Sequence, residues 1–250
     1  MRTRLLILLV MLLTLTTTAA AQSDSSGGWT WIEPGGATIC AHGTPYGFEV
    51  REGSSNNLLI FFEGGGACWD TTTCQPTSVT FKHTVAPHEA GNQGIWDFTN
   101  PANPFADWDM VFIGYCTGDV HMGDSVVTYN DAPLYHKGFV NASAALDWAY
   151  TNFPTPDRVF ISGESAGALG SSFHAAYIME HYQNAPVTLL ADSFSGARGP
   201  ITTLLDTWET IPLLPTWMPE YDGVTSATMT SPLLIEAAAA HYPDNQFAVY

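Results

Sequence analysis

Residues 159–170, which read VFISGESAGALG, constrain the fold of this chain more than any other stretch. An apolar run suited to a buried strand leads into a Gly-x-Ser-x-Gly motif, and residues 171–179 continue as a helix. Strand, sharp turn and helix are the context of a nucleophile elbow, where flanking glycines avoid collisions with the strand and the helix. The pattern predicts Ser165 as a nucleophile held above a sheet edge. The competing interpretation is a chance motif in a chain rich in glycine and serine.

A second apolar run lies upstream and ends in three glycines. Residues 58–62 (LLIFF) are continuously apolar, as expected of a strand buried on both faces. Gly64, Gly65 and Gly66 follow closely, and such glycines let a backbone with free amide groups approach a ligand. Lipases and esterases use a loop of this kind, after the third strand, to build half of an oxyanion hole. A flexible turn is the alternative interpretation.

The other patterned segments predict an α/β fold. Candidate strands and one amphipathic helix are, in chain order, residues 38–40, 46–51, 109–114, 136–153 (the helix), 187–191 and 246–250. The first two suit an antiparallel edge, and the later ones alternate with helices. We therefore expect a mostly parallel sheet of the α/β-hydrolase type with helices on both faces.

The chain divides into a leader and one domain. Residues 1–21 combine a basic start, an apolar run and a small-residue cleavage site before Gln22, which predicts a secretory signal peptide. An uncleaved membrane anchor is the alternative, but the run is short for a bilayer span. Residues 22–250 are long enough to bury a core, and we expect them to form a single α/β-hydrolase domain that is incomplete. Within it, the proline- and aromatic-rich residues 196–221 suit a cap over an apolar pocket, or an ordinary surface excursion.

The charge balance excludes some partners. The chain has 24 Asp and Glu against 7 Lys and Arg, a formal net charge of −17. Nucleic acids and anionic membranes bind basic patches, so we expect neither as a partner. An acidic surface also argues mildly against a strongly anionic polymer as the preferred substrate, and it favours solubility outside the cell.

Four cysteines in an exported chain predict two disulfides. Three pairings are possible. Cys68 and Cys74 are close in sequence and flank a loop, so we pair them, which leaves Cys40 with Cys116. A zinc site is disfavoured because the spacing contains no C-x-x-C pair.

We expect no metal and no cofactor. Asp119, His121 and Asp124 have a spacing that metal ligands can adopt, but no matching cluster elsewhere would complete a site. Their loop follows a predicted parallel strand, so it more naturally borders a cleft at the carboxyl ends of the strands. His83 and His88 suit an ordinary surface in the loop-rich stretch before that strand.

Five ordered blocks together resemble the pectin acetylesterase/Notum family of secreted α/β-hydrolases. The blocks are residues 59–68 (LIFFEGGGAC), 103–105 (NPF), 107–108 (DW), 115–119 (YCTGD) and 163–167 (GESAG). The resemblance extends from about Cys40 to the last residue. It implies a carboxylester hydrolase with Ser165 as nucleophile and with an oxyanion hole made by the amides of Gly65, Gly66 and Ala166.

The acid and the base of a triad have no counterpart in this sequence. The family places an Asp after the next strand and a His in a later loop, and α/β-hydrolases follow the order Ser, Asp or Glu, His. His174 and His181 lie on the predicted elbow helix, and His241 ends a helix before a strand. We therefore expect an N-terminal fragment that is nearly inactive alone. The alternative is that Asp192 and His241 serve as a makeshift pair.

The expected function is deacylation of an O-acylated small molecule or polysaccharide by a secreted serine esterase that works through an acyl-enzyme. Two rival functions remain. The many Trp and Tyr residues suit a non-catalytic extracellular carbohydrate-binding protein, and a serine peptidase can use the same fold. The sequence predicts neither the natural ester nor the oligomeric state.

Overall fold

The computed structural model describes residues 28–87, 90–193 and 202–250, together with the backbone of residues 20–23. The strands of these residues are β1 (Ala20–Ser23), β2 (Trp29–Glu33), β3 (Phe48–Arg51), β4 (Asn57–Phe62), β5 (Asp109–Ile113), β6 (Ser125–Tyr129), β7 (Ala132–His136), β8 (Arg158–Glu164), β9 (Val187–Asp192) and β10 (Gln246–Val249). The α-helices are α1 (Gly138–Asn152), α2 (Ala166–His181), α3 (Thr202–Thr207) and α4 (Ser231–His241). Three short 3-10 helices cover Gly94–Trp96, Ile211–Leu213 and Pro219–Tyr221.

Eight strands form one sheet in the order β1-β2-β3-β5-β4-β8-β9-β10. The four pairs from β5 to β10 are parallel, and the three pairs from β1 to β5 are antiparallel. This mixed α/β sheet confirms the predicted α/β-hydrolase-like class. Because β4 and β8 are parallel neighbours, the glycine loop after β4 and the serine after β8 emerge at the same edge.

One face of the sheet is covered by helices. Leu58, Ile60 and Phe62 point to this face and are fully buried. They share one apolar cluster with the inward side chains of α1 and α2, namely Ala142, Ala145, Leu146, Ala149, Ala175, Ile178 and Met179. The alanine-rich inner sides let both helices lie close to the strands, so α2 is held directly behind the end of β8.

The opposite face differs from the expectation of helices on both faces. Leu59 and Phe61 pack there against Trp96, Phe98 and Phe105, which belong to irregular chain and to the 3-10 helix Gly94–Trp96. Residues 100–104 contain two Asn-Pro pairs, which interrupt helices because proline lacks an amide donor and restricts the residue before it. Within the described residues, large aromatic rings therefore bury this face in place of α-helices.

One predicted strand is wrong, and one hairpin was not predicted. Residues 38–40 form no strand, because the Cys40 amide and the Thr44 carbonyl close a turn there. Strands β6 and β7 form a separate antiparallel hairpin that the sequence analysis did not predict. Its two-residue turn, Asn130–Asp131, has φ values of 50° and 64°, which Asn and Asp tolerate better than other non-glycine residues.

The predicted cap segment is described from residue 202 onward, and residues 196–201 lie outside the described residues. Leu205, Trp208 and Leu214 are buried in a cluster that includes Phe173 of α2. The Trp208 Nε1 also donates to the Cys68 carbonyl over 3.1 Å. The segment is thus packed onto the elbow helix and onto the chain that follows the glycine loop.

The predicted signal peptide falls almost wholly outside the described residues, which begin at residue 20. Its cleavage site, before Gln22, lies within β1, whose residues pair with β2. Among the described helices, none is both long and apolar enough to cross a bilayer.

Candidate active site

Ser165 occupies a strained turn between β8 and α2. Its φ is 52° and its ψ is −115°, a combination that costs a non-glycine residue on the order of 1–3 kcal/mol. The side chain is exposed, whereas Ala166 immediately after it is buried. This is the conformation expected of a nucleophile elbow: the backbone bends sharply so that the hydroxyl stands clear of the sheet.

The two glycines of the motif are required by close backbone contacts. A Cβ on Gly163 would lie 2.2 Å from the Gly167 carbonyl oxygen. A Cβ on Gly167 would lie 2.0 Å from the Phe62 carbonyl oxygen, at the end of β4. Contacts below 3.0 Å force a backbone shift, so any larger residue would push α2 away from the two strands.

The glycine loop lies beside the serine. A Cβ on Gly64 would be 3.3 Å from the Ser165 Cβ and 2.7 Å from the Glu164 carbonyl oxygen. Gly65 and Gly66 have φ values of 148° and 77°, which side chains rarely permit. The loop therefore approaches the elbow as closely as backbone can, because it carries no side chains there.

Three backbone amides at this point are available for an anion. The Gly65 carbonyl accepts from the Lys82 amide and the Ala67 amide donates to the Thr80 carbonyl. Within the part of the chain that the structure describes, the amides of Gly65, Gly66 and Ala166 contact no hydrogen-bond acceptor. The Ala166 amide is also the first of α2, where the helix dipole favours negative charge.

A carboxylate at the base of the loop joins several segments. Both oxygens of Glu63 lie 2.7 Å from the Lys82 Nζ, and Oε2 also accepts from the Tyr115 amide at 2.8 Å. The Tyr115 hydroxyl donates to the Gly66 carbonyl at 2.8 Å and accepts from the Val120 amide at 2.9 Å. These contacts connect the ends of β4 and β5 with residues 80–82.

His121 supports the same loop from beneath. Its Nε2 donates to the Glu63 carbonyl at 2.8 Å, and the ring is fully buried. Burial lowers the pKa of His121 to about 3, so the ring is neutral at ordinary pH. Val120 and His121 both have positive φ, 49° and 63°, an unusual local strain that directs the imidazole toward the loop.

The histidines that follow Ser165 are engaged elsewhere. The Nε2 of His174 donates to the His121 carbonyl, the ring of His181 stacks on Tyr150 at 3.7 Å, and Nδ1 of His241 lies 3.0 Å from a Glu220 oxygen. His241 ends α4 just before β10, and so lies at the amino ends of the parallel strands. Ser165 lies at the carboxyl ends. Among the described residues, no histidine contacts the Ser165 hydroxyl.

Asp192, the other half of the makeshift pair, lies closer to the elbow. Its carbonyl accepts from the Ser165 amide at 3.1 Å, while its carboxylate accepts from the Ser193 hydroxyl. The backbone of Asp192 thus holds the elbow, but the structure does not join its carboxylate to His241, which pairs with Glu220.

Asp119, His121 and Asp124, whose spacing suits metal ligands, each have a different partner. Asp119 accepts from the Thr117 hydroxyl and the Gly138 amide, His121 contacts the Glu63 carbonyl, and Asp124 pairs with Lys137. Burial raises the pKa of Asp119 to about 6. Cys68, Cys74 and His136 lie close enough together to hold a metal, but the sulfurs are joined in a disulfide and offer no thiolate.

Both disulfides lie near the glycine loop. Cys68 and Cys74 are bonded directly after it, with Cα atoms 5.0 Å apart, and the Cys68 amide donates to the Gly118 carbonyl. Cys40 and Cys116 are bonded with Cα atoms 5.1 Å apart, next to Tyr115. These are the pairs expected from the sequence, and all four side chains are buried.

The loop supports were not identified from the sequence. Glu63 is a charged residue directly after the apolar run 58–62, and Lys82 is one of only two lysines in the chain. Both features are signals of a half-buried ion pair. Their separation of 19 residues, and that of Tyr115 from Gly66, gave no local pattern that would have joined them.

Comparison with known proteins finds one matching family and several curated relatives. The family model described as pectinacetylesterase matches residues 21–196. Pectin acetylesterase 4 of Arabidopsis thaliana is 28% identical over 163 residues, which cover 62% of this chain and 40% of the relative. Palmitoleoyl-protein carboxylesterase NOTUM of Mus musculus is 26% identical over 168 residues, which cover 63% and 33%. The chain thus spans well under half the length of these curated relatives.

Proposed function

This chain belongs to the pectinacetylesterase family, and on that premise we propose that it is a secreted serine carboxylester hydrolase that deacylates O-acylated small molecules or polysaccharides. The observation that carries the proposal is the contact between the glycine loop and the elbow. A nucleophilic hydroxyl and a set of unpaired amides lie together at one edge of the sheet, which is the arrangement acyl transfer requires. The two disulfides support an oxidising, extracytoplasmic location.

In the proposed mechanism the Ser165 oxygen attacks the ester carbonyl carbon, and a general base takes the hydroxyl proton. The carbonyl oxygen becomes an anion held by the amides of Gly65, Gly66 and Ala166. Collapse of this intermediate expels the alcohol, which receives the proton, and leaves an acyl-enzyme. Water, activated by the same base, then releases the carboxylic acid and restores the serine.

None of the seven histidines that the structure describes contacts the Ser165 hydroxyl, so we propose none of them as the general base. Each of the three after Ser165 has another partner, and the buried rings of His121 and His136 donate through Nε2 and Nδ1, respectively, to backbone carbonyls. A hydrolase that keeps its oxyanion hole but lacks its base retains roughly a thousandfold advantage over water. We therefore propose that the 250-residue polypeptide by itself turns over esters slowly, as the sequence predicted.

An activity-based probe tests this function in the native protein, meaning the protein as its source organism produces it and not the 250-residue polypeptide alone. A fluorophosphonate should label Ser165, as read by peptide mass spectrometry, and Ser165→Ala should abolish both labelling and hydrolysis of a short-chain acetyl ester. The matched control is Ser54→Ala, since Ser54 is exposed but precedes β4 at the other end of the strands. Acetyl ester turnover that survives Ser165→Ala would refute the serine mechanism.

The natural ester is a separate proposal. The relatives are named for acetylated pectin and for a palmitoleoylated protein, and a net charge of −17 disfavours a polyanion at low salt. We expect an ester on a weakly charged carrier to be preferred over the same ester on an anionic polymer. A panel that varies acyl length and carrier charge separately, at low and high salt, measures the two preferences independently.

A carbohydrate-binding function without catalysis has one observation in its favour. Trp69 and Trp217 are large aromatic side chains that are 41% and 39% exposed, and such rings stack on sugars. The two functions differ in one outcome. An esterase reacts with the fluorophosphonate at Ser165, whereas a binding module retains polysaccharide affinity and does not react.

A further inference from the structure

The glycine loop is held by its carbonyl groups. A trans peptide is planar, so a carbonyl oxygen that is fixed by a hydrogen bond also fixes the direction of the N–H on the same peptide unit. The Gly65 carbonyl accepts from the Lys82 amide, which sets the direction of the Gly66 N–H. The Glu63 carbonyl accepts from His121, which sets the peptide unit that enters the loop.

Tyr115 controls the unit that leaves the loop. Its hydroxyl donates to the Gly66 carbonyl at 2.8 Å, and the hydroxyl is itself oriented by the Val120 amide at 2.9 Å. The same peptide unit carries the Ala67 N–H, which donates to the Thr80 carbonyl, so both polar groups of this unit are fixed. The ring also lies against the loop, because a Cβ on Gly65 would be 2.7 Å from the Tyr115 Cδ1. Tyr115 is fully buried, so its position is defined by packing as well as by hydrogen bonds.

The Glu63–Lys82 pair fixes the other side. Lys82 contributes both its amide, to the Gly65 carbonyl, and its ammonium group, to the Glu63 carboxylate at 2.7 Å. Glu63 in turn accepts from the Tyr115 amide at 2.8 Å. Three glycines without such supports would sample many conformations, and a hole built from them would have to be ordered in each turnover.

We propose that Tyr115 and the Glu63–Lys82 pair are positioning residues. They fix the chain on both sides of the glycine loop, so that the amides of Gly65 and Gly66 between these supports stay directed toward the Ser165 oxygen. This role requires no contact with the ester or with the reacting atoms. This inference rests on the proposed function, because it describes how the same anion site is kept in order. It predicts that their loss weakens binding of the tetrahedral intermediate more than binding of the ester.

The test in the native protein is Tyr115→Phe, which keeps the ring and removes only the hydroxyl. We expect kcat for an acetyl ester to fall roughly 10- to 100-fold while KM changes less than twofold. The inhibition constant of a trifluoromethyl ketone, which forms a tetrahedral adduct with the serine, should rise by a similar factor. A fall in thermal stability with unchanged kcat and inhibition constant would overturn the inference.

Tyr150→Phe is the matched control. Tyr150 lies on α1, and among the described residues its buried hydroxyl has no hydrogen-bond partner. Its removal should leave kcat and the inhibition constant within twofold. An equal kcat loss in this control would show that any hydroxyl deletion in the core has the same effect, and would also overturn the inference.

A second pair of variants applies if Tyr115→Phe does not fold. Lys82→Met should reduce kcat by a similar factor. Lys82→Arg, which again places a positive charge beside the Glu63 carboxylate, should recover most of the lost activity. Equal activity of both variants and the native protein would contradict a positioning role. Failure of the proposed function is recognised separately, since acetyl ester turnover would then survive Ser165→Ala.

Discussion

The two sides of the candidate active site differ in how completely the described residues build them. On the side of β4 and β8, a serine, a glycine loop and a buried polar support are joined by backbone contacts. On the side of β9 and β10, the histidines are paired with other groups, and none reaches the serine. The described residues thus supply a candidate anion site from backbone amides, whereas none of their histidines contacts the serine.

The largest expected effect concerns the oxyanion side. In Gly66→Ala the new Cβ would meet the Thr80 carbonyl oxygen at 2.0 Å, at a φ of 77°. We expect acetyl ester kcat to fall by about 100-fold or more. Gly43→Ala is the control, because Gly43 has a φ of 87° but nothing within 4 Å of the added Cβ. Equal kcat values in the two variants would mean that backbone strain alone, and not the loop geometry, matters.

The two disulfides sharpen the comparison. Removal of the long one should cost more stability, and removal of the short one should cost more activity. Cys40–Cys116 spans 76 residues and Cys68–Cys74 spans 6. Loop entropy predicts that replacing the first pair with alanine lowers the free energy of unfolding by about 4–5 kcal/mol, against about 2 kcal/mol for the second. Denaturant titration measures this.

The short disulfide, in contrast, directly follows the glycine loop, so its removal should reduce kcat more than removal of the long one does. The control is the alanine variant of the long pair, assayed at a temperature where both proteins remain folded. A larger kcat loss in the long-pair variant would contradict the assigned role of the loop.

Acid should destabilise the fold through its buried histidines. Burial lowers the pKa of His121 to about 3 and those of His136 and His174 to about 4. Below pH 6.5 the unfolded chain therefore binds protons that the native state does not, and stability falls as the pH falls. Burial raises the pKa of Asp119 to about 6, so near pH 5 the native state binds one proton there that the unfolded chain does not. This proton partly offsets the effect of the histidines.

The net uptake of about two protons on unfolding predicts a loss of about 2.5 kcal/mol per pH unit near pH 5. Chemical denaturation between pH 7 and pH 4 measures the slope. His174→Gln, which keeps an N–H donor for the His121 carbonyl but does not titrate, should reduce the slope by about one proton. A stability that stays constant or rises toward pH 4 would contradict the buried neutral histidines.

The smallest expected effect is on the other side of the site. His241→Ala removes the partner of Glu220 at the amino ends of the strands, so acetyl ester kcat/KM should change less than twofold. Steady-state kinetics on the native protein measure this, with Ser165→Ala as the reference for a loss of catalysis. A drop of a thousandfold would restore His241 as the base.

The elements that were predicted well are those defined by local pattern. The elbow was recognised because five consecutive residues and their flanking strand and helix must fold together, and β4 because every residue of its apolar run is buried. The fold class followed from the alternation of such segments. A glycine loop beside the serine was implied by the family resemblance, and the structure shows the contact, because β4 and β8 are parallel neighbours.

The remainder depends on contacts between distant residues. Glu63, Lys82 and Tyr115 meet only once β4 and β5 are paired, and no periodicity connects them. The aromatic cover of the second face was missed because Trp96, Phe98 and Phe105 follow no helical or strand period. The β6–β7 hairpin was missed because Asn130–Asp131 is a less common turn pair than Asn-Gly.

The most direct test of the whole account is a crystal structure of the native protein after reaction with a small phosphonate. The account predicts a bond from phosphorus to the Ser165 oxygen, with the phosphonyl oxygen about 2.7–3.1 Å from the amide nitrogens of Gly65, Gly66 and Ala166. A phosphonyl oxygen directed away from these amides, or a label on another residue, would contradict it.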